Sequence, residues 1–176
     1  MSLISAMNPT APITDRTQAI AAARSSAVAI FIGVAWGIVT TIYLATAAPA
    51  LMESAFAEAA QTDPNVAGME GIAGAMTGFV VIWAGLMVVI QIVLGLVQWF
   101  KPNIVIPILF TVLVVFGLGS ALLGLMGPSA QSAAAGPMWF TVLGLVVLVV
   151  ELVLHIAGIR GANAMNKMRA VDQDVF

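Results

Sequence analysis

The chain has 176 residues, of which 61% are apolar and 8% charged, with a mean hydropathy of +1.09. A soluble domain carries roughly a quarter charged residues and under half apolar ones, so a soluble globular fold and a disordered chain are both excluded. Six Lys plus Arg against eight Asp plus Glu leave no basic field for phosphate backbones, so no nucleic-acid partner is expected. The absence of cysteine removes disulfides and thiolate chemistry, and one histidine cannot build a bis-His haem or a multi-His zinc site within one chain. Neither a metal nor a cofactor is therefore expected.

Residues 1–26 read as a polar tail with a short helix. Pro9 and Pro12 interrupt the first part, which is expected to be mobile. Asp15 with Gln18 three residues later resembles a capping box, and the helix it starts should run directly into the first apolar stretch. No short apolar core with a small-residue cleavage site opens the chain, so the first stretch is expected to be an uncleaved anchor.

A membrane span needs on the order of 20 apolar residues at 1.5 Å rise each, and four stretches reach that length, at about 27–48, 78–99, 104–126 and 138–159. They are continuous rather than alternating, which disfavours a transmembrane barrel. The expected fold class is all-α: an integral membrane bundle of four transmembrane helices over 27–160, followed by a tail at 161–176. The first span should stop at Pro49. An apolar lead-in from Ile72 can extend the second, and Pro107 sits in the first turn of the third, where a missing N–H costs least.

Within the acidic loop 49–77, Leu51, Met52, Ala55, Phe56 and Ala59 follow helical spacing and predict a short amphipathic helix before the Asp63-Pro64-Asn65 turn. The connector of Phe100, Lys101, Pro102 and Asn103 is so short that spans two and three are expected to pack as antiparallel neighbours. The loop PSAQSAAAGP before the fourth span is small, neutral and expected to be flexible. Past that span, Met165, Met168 and Val171 share one side of a further helix.

Arg16 and Arg24 precede span one, Lys101 lies between spans two and three, and Arg160, Lys167 and Arg169 follow span four. All six cations thus fall on one side, while the opposite loops carry no Lys or Arg. The positive-inside rule then places both termini in the cytoplasm. The compact layout, with no organelle-targeting feature, suggests a bacterial inner membrane. Tyr43, Trp99 and Trp139 fit an interfacial aromatic belt, whereas Trp36 and Trp83 lie deeper and are expected to pack between helices.

Gln91-Ile-Val-Leu-Gly-Leu in span two resembles Glu151-Leu-Val-Leu-His-Ile in span four, a short match that would make the two halves a parallel repeat. Counted from the span centres at 1.5 Å per residue, Gln91 and Glu151 both lie about 3 to 4 Å inward of the midplane. Glu151 is the one carboxylate deep in a span, and insertion there costs about 2.5–3.5 kcal/mol for a charged side chain, so it must be neutral, paired or facing a wet cavity. His155 follows one turn later on the same face, so three states are open: a protonated Glu151 donating to a carbonyl or amide, a neutral Glu151–His155 hydrogen bond, or an ion pair with the imidazolium. Gln91 and Thr111 would complete a polar layer. The layer reads either as a proton- or cation-binding site in a transport path or as an interhelical clamp, the latter worth about 0.6 kcal/mol per bond.

Small residues at a spacing of four mark packing faces in lipid: Gly33 with Gly37, Gly74 with Gly78, Ser120 with Gly124, and Ala157 with Gly161. No HExxH, nucleophile elbow, GxGxxG or phosphate-binding loop is present, and no enzyme activity is expected. Two functions remain. The first is a multi-pass protein acting by helix–helix association, with itself or with other membrane subunits as partners beside the lipid bilayer. The second is a small proton- or cation-coupled transporter or channel using Glu151, His155, Gln91 and Thr111.

Overall fold

A computed structural model describes residues 3–62, 70–126 and 137–174; the Asp63-Pro64-Asn65 turn and most of the PSAQSAAAGP loop lie outside them. Among the described residues six helices follow one another: α1 (Leu3–Ala6), α2 (Arg16–Thr46), α3 (Ala48–Thr62), α4 (Glu70–Phe100), α5 (Val105–Met126) and α6 (Met138–Asp174). The described residues contain no strand, and four of these helices are long and apolar enough to cross a membrane.

Local sequence explains where the helices begin. Asp15 caps α2 by accepting from the Gln18 backbone N–H at 2.8 Å, and Gln18 reaches back to the Thr14 N–H at 2.9 Å, a variant of the box that engages Thr14 rather than Asp15. At α5 the Asn103 side chain accepts from the Ile106 N–H at 3.0 Å, and Pro107 is held in the opening turn as its missing donor requires. Pro49 likewise falls in the first turn of α3, so α2 ends at Thr46 just before it. The amphipathic segment of the acidic loop is helical over Ala48–Thr62, and the lead-in from Ile72 extends α4 to Glu70.

Both halves of the central pair run beyond the expected spans. α2 has 31 residues and α6 has 37, and they form the most extensive helix pair. Their contact is built from side chains too small to hold backbones apart. A Cβ on Gly161 would stand 2.6 Å from the Ala22 carbonyl carbon and 2.8 Å from the Ala19 oxygen. One on Gly158 would lie 2.5 Å from the Ser26 Cβ. Ala19, Ala23, Ala157 and Ala162 are buried along the same line. Close approach substitutes for hydrophobic drive between helices in lipid, where the solvent is itself apolar.

α4 packs on α2, and α5 on α6. α4 and α5 do not form a close pair despite their short connector, which corrects the expectation that they are packed neighbours. The connector is instead fastened by Gln98, which is fully buried. Its amide donates to the Ala23 carbonyl of α2 at 3.1 Å and to the Asn103 carbonyl at 3.2 Å, and accepts from the Asn103 N–H at 3.3 Å. The sparse contact between α4 and α5 also breaks the symmetry of a parallel repeat, which would require that pair to pack as α2 and α6 do.

The N-terminal tail, expected to be mobile, is docked. Ala6 is buried, and Arg160 of α6 donates to the Ala11 carbonyl at 3.1 Å. Met165 at the start of the tail is buried too, whereas Val171 further along the same side is exposed. Arg24 donates to the Trp99 carbonyl at 3.1 Å, with its guanidinium 5.3 Å from the ring centre. These contacts gather the start of α2, the end of α4, the start of α5 and the later part of α6 at one end of the molecule. Arg24, Lys101 and Arg160 accordingly share that end.

Trp36 lies between helices as expected, against Phe140 with ring centroids 4.7 Å apart. Tyr43 stacks on the same ring at 4.8 Å. Trp83 differs: it is 55% exposed and, among the described residues, stacks on Phe79 of its own helix, because that side of α4 faces away from the other helices.

Candidate functional site

The site is formed where α2 lacks a side chain. Gly33 faces α6, and a Cβ there would stand 2.8 Å from the Glu151 Oε1 and 3.3 Å from its Cδ. The carboxyl therefore occupies space that any larger residue at position 33 would fill. Gly37, one turn further along, admits the Val88 side chain of α4 in the same way, since a Cβ at position 37 would stand 3.0 Å from the Val88 Cγ2. Both glycines of this GxxxG are thus spent on contacts within the molecule.

Beside the carboxyl is a partly open cavity of about 160 Å³. All four long helices contribute: Ile30 and Gly33 from α2, Gln91 from α4, Phe110, Leu113 and Val114 from α5, and Leu148 and Glu151 from α6. Glu151 is 7% exposed, and the Gln91 Oε1 is buried with no hydrogen-bond partner in the protein. Two of the four expected layer residues, Gln91 and Glu151, therefore converge on one cavity.

His155 does not join them by a hydrogen bond. It is fully buried one turn beyond Glu151, its Nδ1 is 2.8 Å from the Ser26 Oγ, and its Nε2 has no partner in the protein. Its ring stacks on Phe110, centroids 5.5 Å apart at 24°, so Phe110 separates the imidazole from the cavity that it helps to line. Of the states open for Glu151, those pairing it with His155 are not formed; His155 instead pairs with Ser26 across the α2–α6 contact. Thr111 also stands outside the layer: its hydroxyl donates to the Pro107 carbonyl at 2.7 Å, one turn back on α5. A hydroxyl that can reach its own helix backbone is satisfied without any neighbour.

Ser26, Phe110 and Gly33 were not recognised as parts of the polar site from sequence. Ser25 and Ser26 carried a signal, since two adjacent hydroxyls at the start of an apolar run call for interior partners. Ser25 donates to the Ala22 carbonyl at 2.6 Å and approaches the Leu154 carbonyl at 3.0 Å, and Ser26 meets His155. Phe110 carried none, because an aromatic residue in an apolar helix has no distinguishing pattern.

The other small-residue faces diverge. Ala157 and Gly161 pack on α2, whereas a Cβ on Gly74, Gly78 or Gly124 would meet nothing within 4 Å, and Ser120 is exposed. Among the described residues there is no group of three His, Cys, Asp or Glu able to hold a metal ion.

The fold and the site together define an all-helical protein with four membrane-capable helices around a small cavity that holds one carboxyl. Compared with protein-family models, curated proteins and solved structures, the chain matches none.

Proposed function

We propose that this is a multi-pass protein of a bacterial inner membrane, with both termini cytoplasmic, that takes up a proton or small cation at Glu151 as part of a transport path. The observation that carries the reading is the cavity itself. An interhelical clamp brings donor to acceptor and leaves no space, whereas Glu151 and Gln91 line a shared void. A carboxylate within the hydrocarbon costs about 2.5–3.5 kcal/mol, which a bound proton or cation at Glu151 would offset. The orientation is supported by the sorting of all six cations to one side.

Reconstituted liposomes test the proposal. Wild type is expected to carry a proton or monovalent-cation flux that Glu151→Gln removes while the protein remains folded. Absence of flux in wild type across protons, sodium, potassium and small organic ammonium ions would defeat it. For orientation, the cysteine-free chain allows single-cysteine labelling in intact cells. Glu58→Cys should react with an impermeant thiol reagent from outside and Asn166→Cys only after permeabilisation; the reverse pattern would invert the topology.

Association with further copies or with another membrane subunit is a second reading. The open faces at Gly74, Gly78 and Gly124 favour it, since these small residues serve no contact within the described chain. Gly33, Gly37 and Gly161 no longer support it, because their contacts are internal.

A further inference from the structure

Resting on the reading of the cavity as a cation site, we infer that its ligand is a small organic ammonium, a primary amine with a short alkyl chain, rather than a metal ion. The lining decides the class. Hard metal cations such as calcium and magnesium take about six or more oxygen ligands. Here the polar wall consists of the Glu151 carboxyl and the Gln91 amide, and the described residues hold no cluster of acids nearby. A dehydrated metal ion would be under-coordinated, and a hydrated one would press its water shell against Ile30, Leu113, Val114 and Leu148.

An alkylammonium fits both parts of this wall. Its N–H donors meet the carboxyl oxygens of Glu151, which act purely as acceptors when ionised, whereas the Gln91 Oε1 is itself buried away from the void. Its chain lies on the aliphatic side chains, and the Phe110 ring offers a face or edge to the charged head. Size agrees as well. A void of about 150 Å³ is known to accept a six-carbon ring, so the 160 Å³ here suits a chain of about four carbons with its ammonium head. The cavity is partly open, so a ligand has a way in.

The test uses the full-length protein in mild detergent, with n-butylammonium chloride as the probe and calorimetric titration as the readout. Sodium chloride, potassium chloride and n-butanol are the comparisons. Saturable binding of n-butylammonium is expected, at least tenfold weaker in Glu151→Gln and abolished in Leu113→Trp, which fills the void from the opposite wall. Equal binding of n-butanol would overturn the role of charge. Tighter saturable binding of sodium or potassium would overturn the ligand class while leaving the cation-site reading in place. Glu151-dependent proton flux in liposomes without amine binding would likewise defeat this inference alone. The absence of both amine binding and any flux would defeat it together with the reading on which it rests. Unfolding curves for both variants, matching wild type without ligand, separate lost binding from lost structure.

Discussion

Gly161→Ala is the sharpest probe of how the central helix pair is held. The added methyl would stand 2.6 Å from the Ala22 carbonyl carbon and 2.8 Å from the Ala19 oxygen, where ordinary contact needs roughly 3.4 Å or more. The obstructing atoms are backbone, so no side-chain rotation relieves the overlap and the helices must part by about 1 Å. Overpacking of this kind costs about 1–3 kcal/mol. Parting the helices also strains the Ser25–Leu154 and Ser26–His155 contacts at 3.0 and 2.8 Å, each worth about 0.6 kcal/mol in a membrane protein. Against this, Ala is favoured over Gly within a helix by about 1 kcal/mol. The expected net loss is about 1–3 kcal/mol. Gly124→Ala is the matched control, since nothing lies within 4 Å of its added Cβ, and it should be neutral or stabilising. Equilibrium unfolding in mixed micelles, followed by tryptophan fluorescence, measures both. Gly161→Ala as stable as wild type, or Gly124→Ala as damaging as Gly161→Ala, would refute the packing argument.

Gln98→Ala should destabilise the protein by about 1–3 kcal/mol in the same unfolding assay, because the Ala23 carbonyl and the Asn103 N–H both lose their partner in a buried setting. A double-mutant cycle between Ser26→Ala and His155→Phe should give a coupling of about 0.6 kcal/mol and no more than about 1.7, with a value of zero contradicting the observed pair. Glu151→Gln combined with His155→Phe should show a smaller coupling than that, since no hydrogen bond joins these two side chains. If open small-residue faces join copies of the chain, Gly78→Leu with Gly124→Leu should lower the detergent-corrected mass measured by light scattering; an unchanged mass removes those faces from any interface.

The four apolar runs, the prolines that mark the starts of the third and fourth, and the Asp15 cap were legible because each is a local property of the chain. What sequence could not supply was which helices sit together. A four-residue connector implied that α4 and α5 pack closely, yet glycine and alanine draw α2 and α6 into the closest contact, and Gln98 satisfies the connector without requiring α4 and α5 to close. The same limit shaped the site. Glu151 stood out by its cost in hydrocarbon, and its depth matched that of Gln91. Whether His155 turned to Glu151 or to another helix depended on Ser26, 129 positions away along the chain and adjacent only after folding. Thr111 was drawn into the layer by depth alone, and its own helix backbone was the nearer acceptor.

The central claim is that the Glu151 carboxyl exchanges with its surroundings through the cavity instead of being sealed as a structural clamp. Infrared difference spectroscopy on reconstituted vesicles reads that carboxyl directly, with the band assigned by its loss in Glu151→Gln. The account predicts that stepping the external pH converts the carboxylic C=O band reversibly into the carboxylate band while the amide bands of the helices stay constant. A Glu151 band that ignores external pH throughout the range in which the protein stays folded would contradict it.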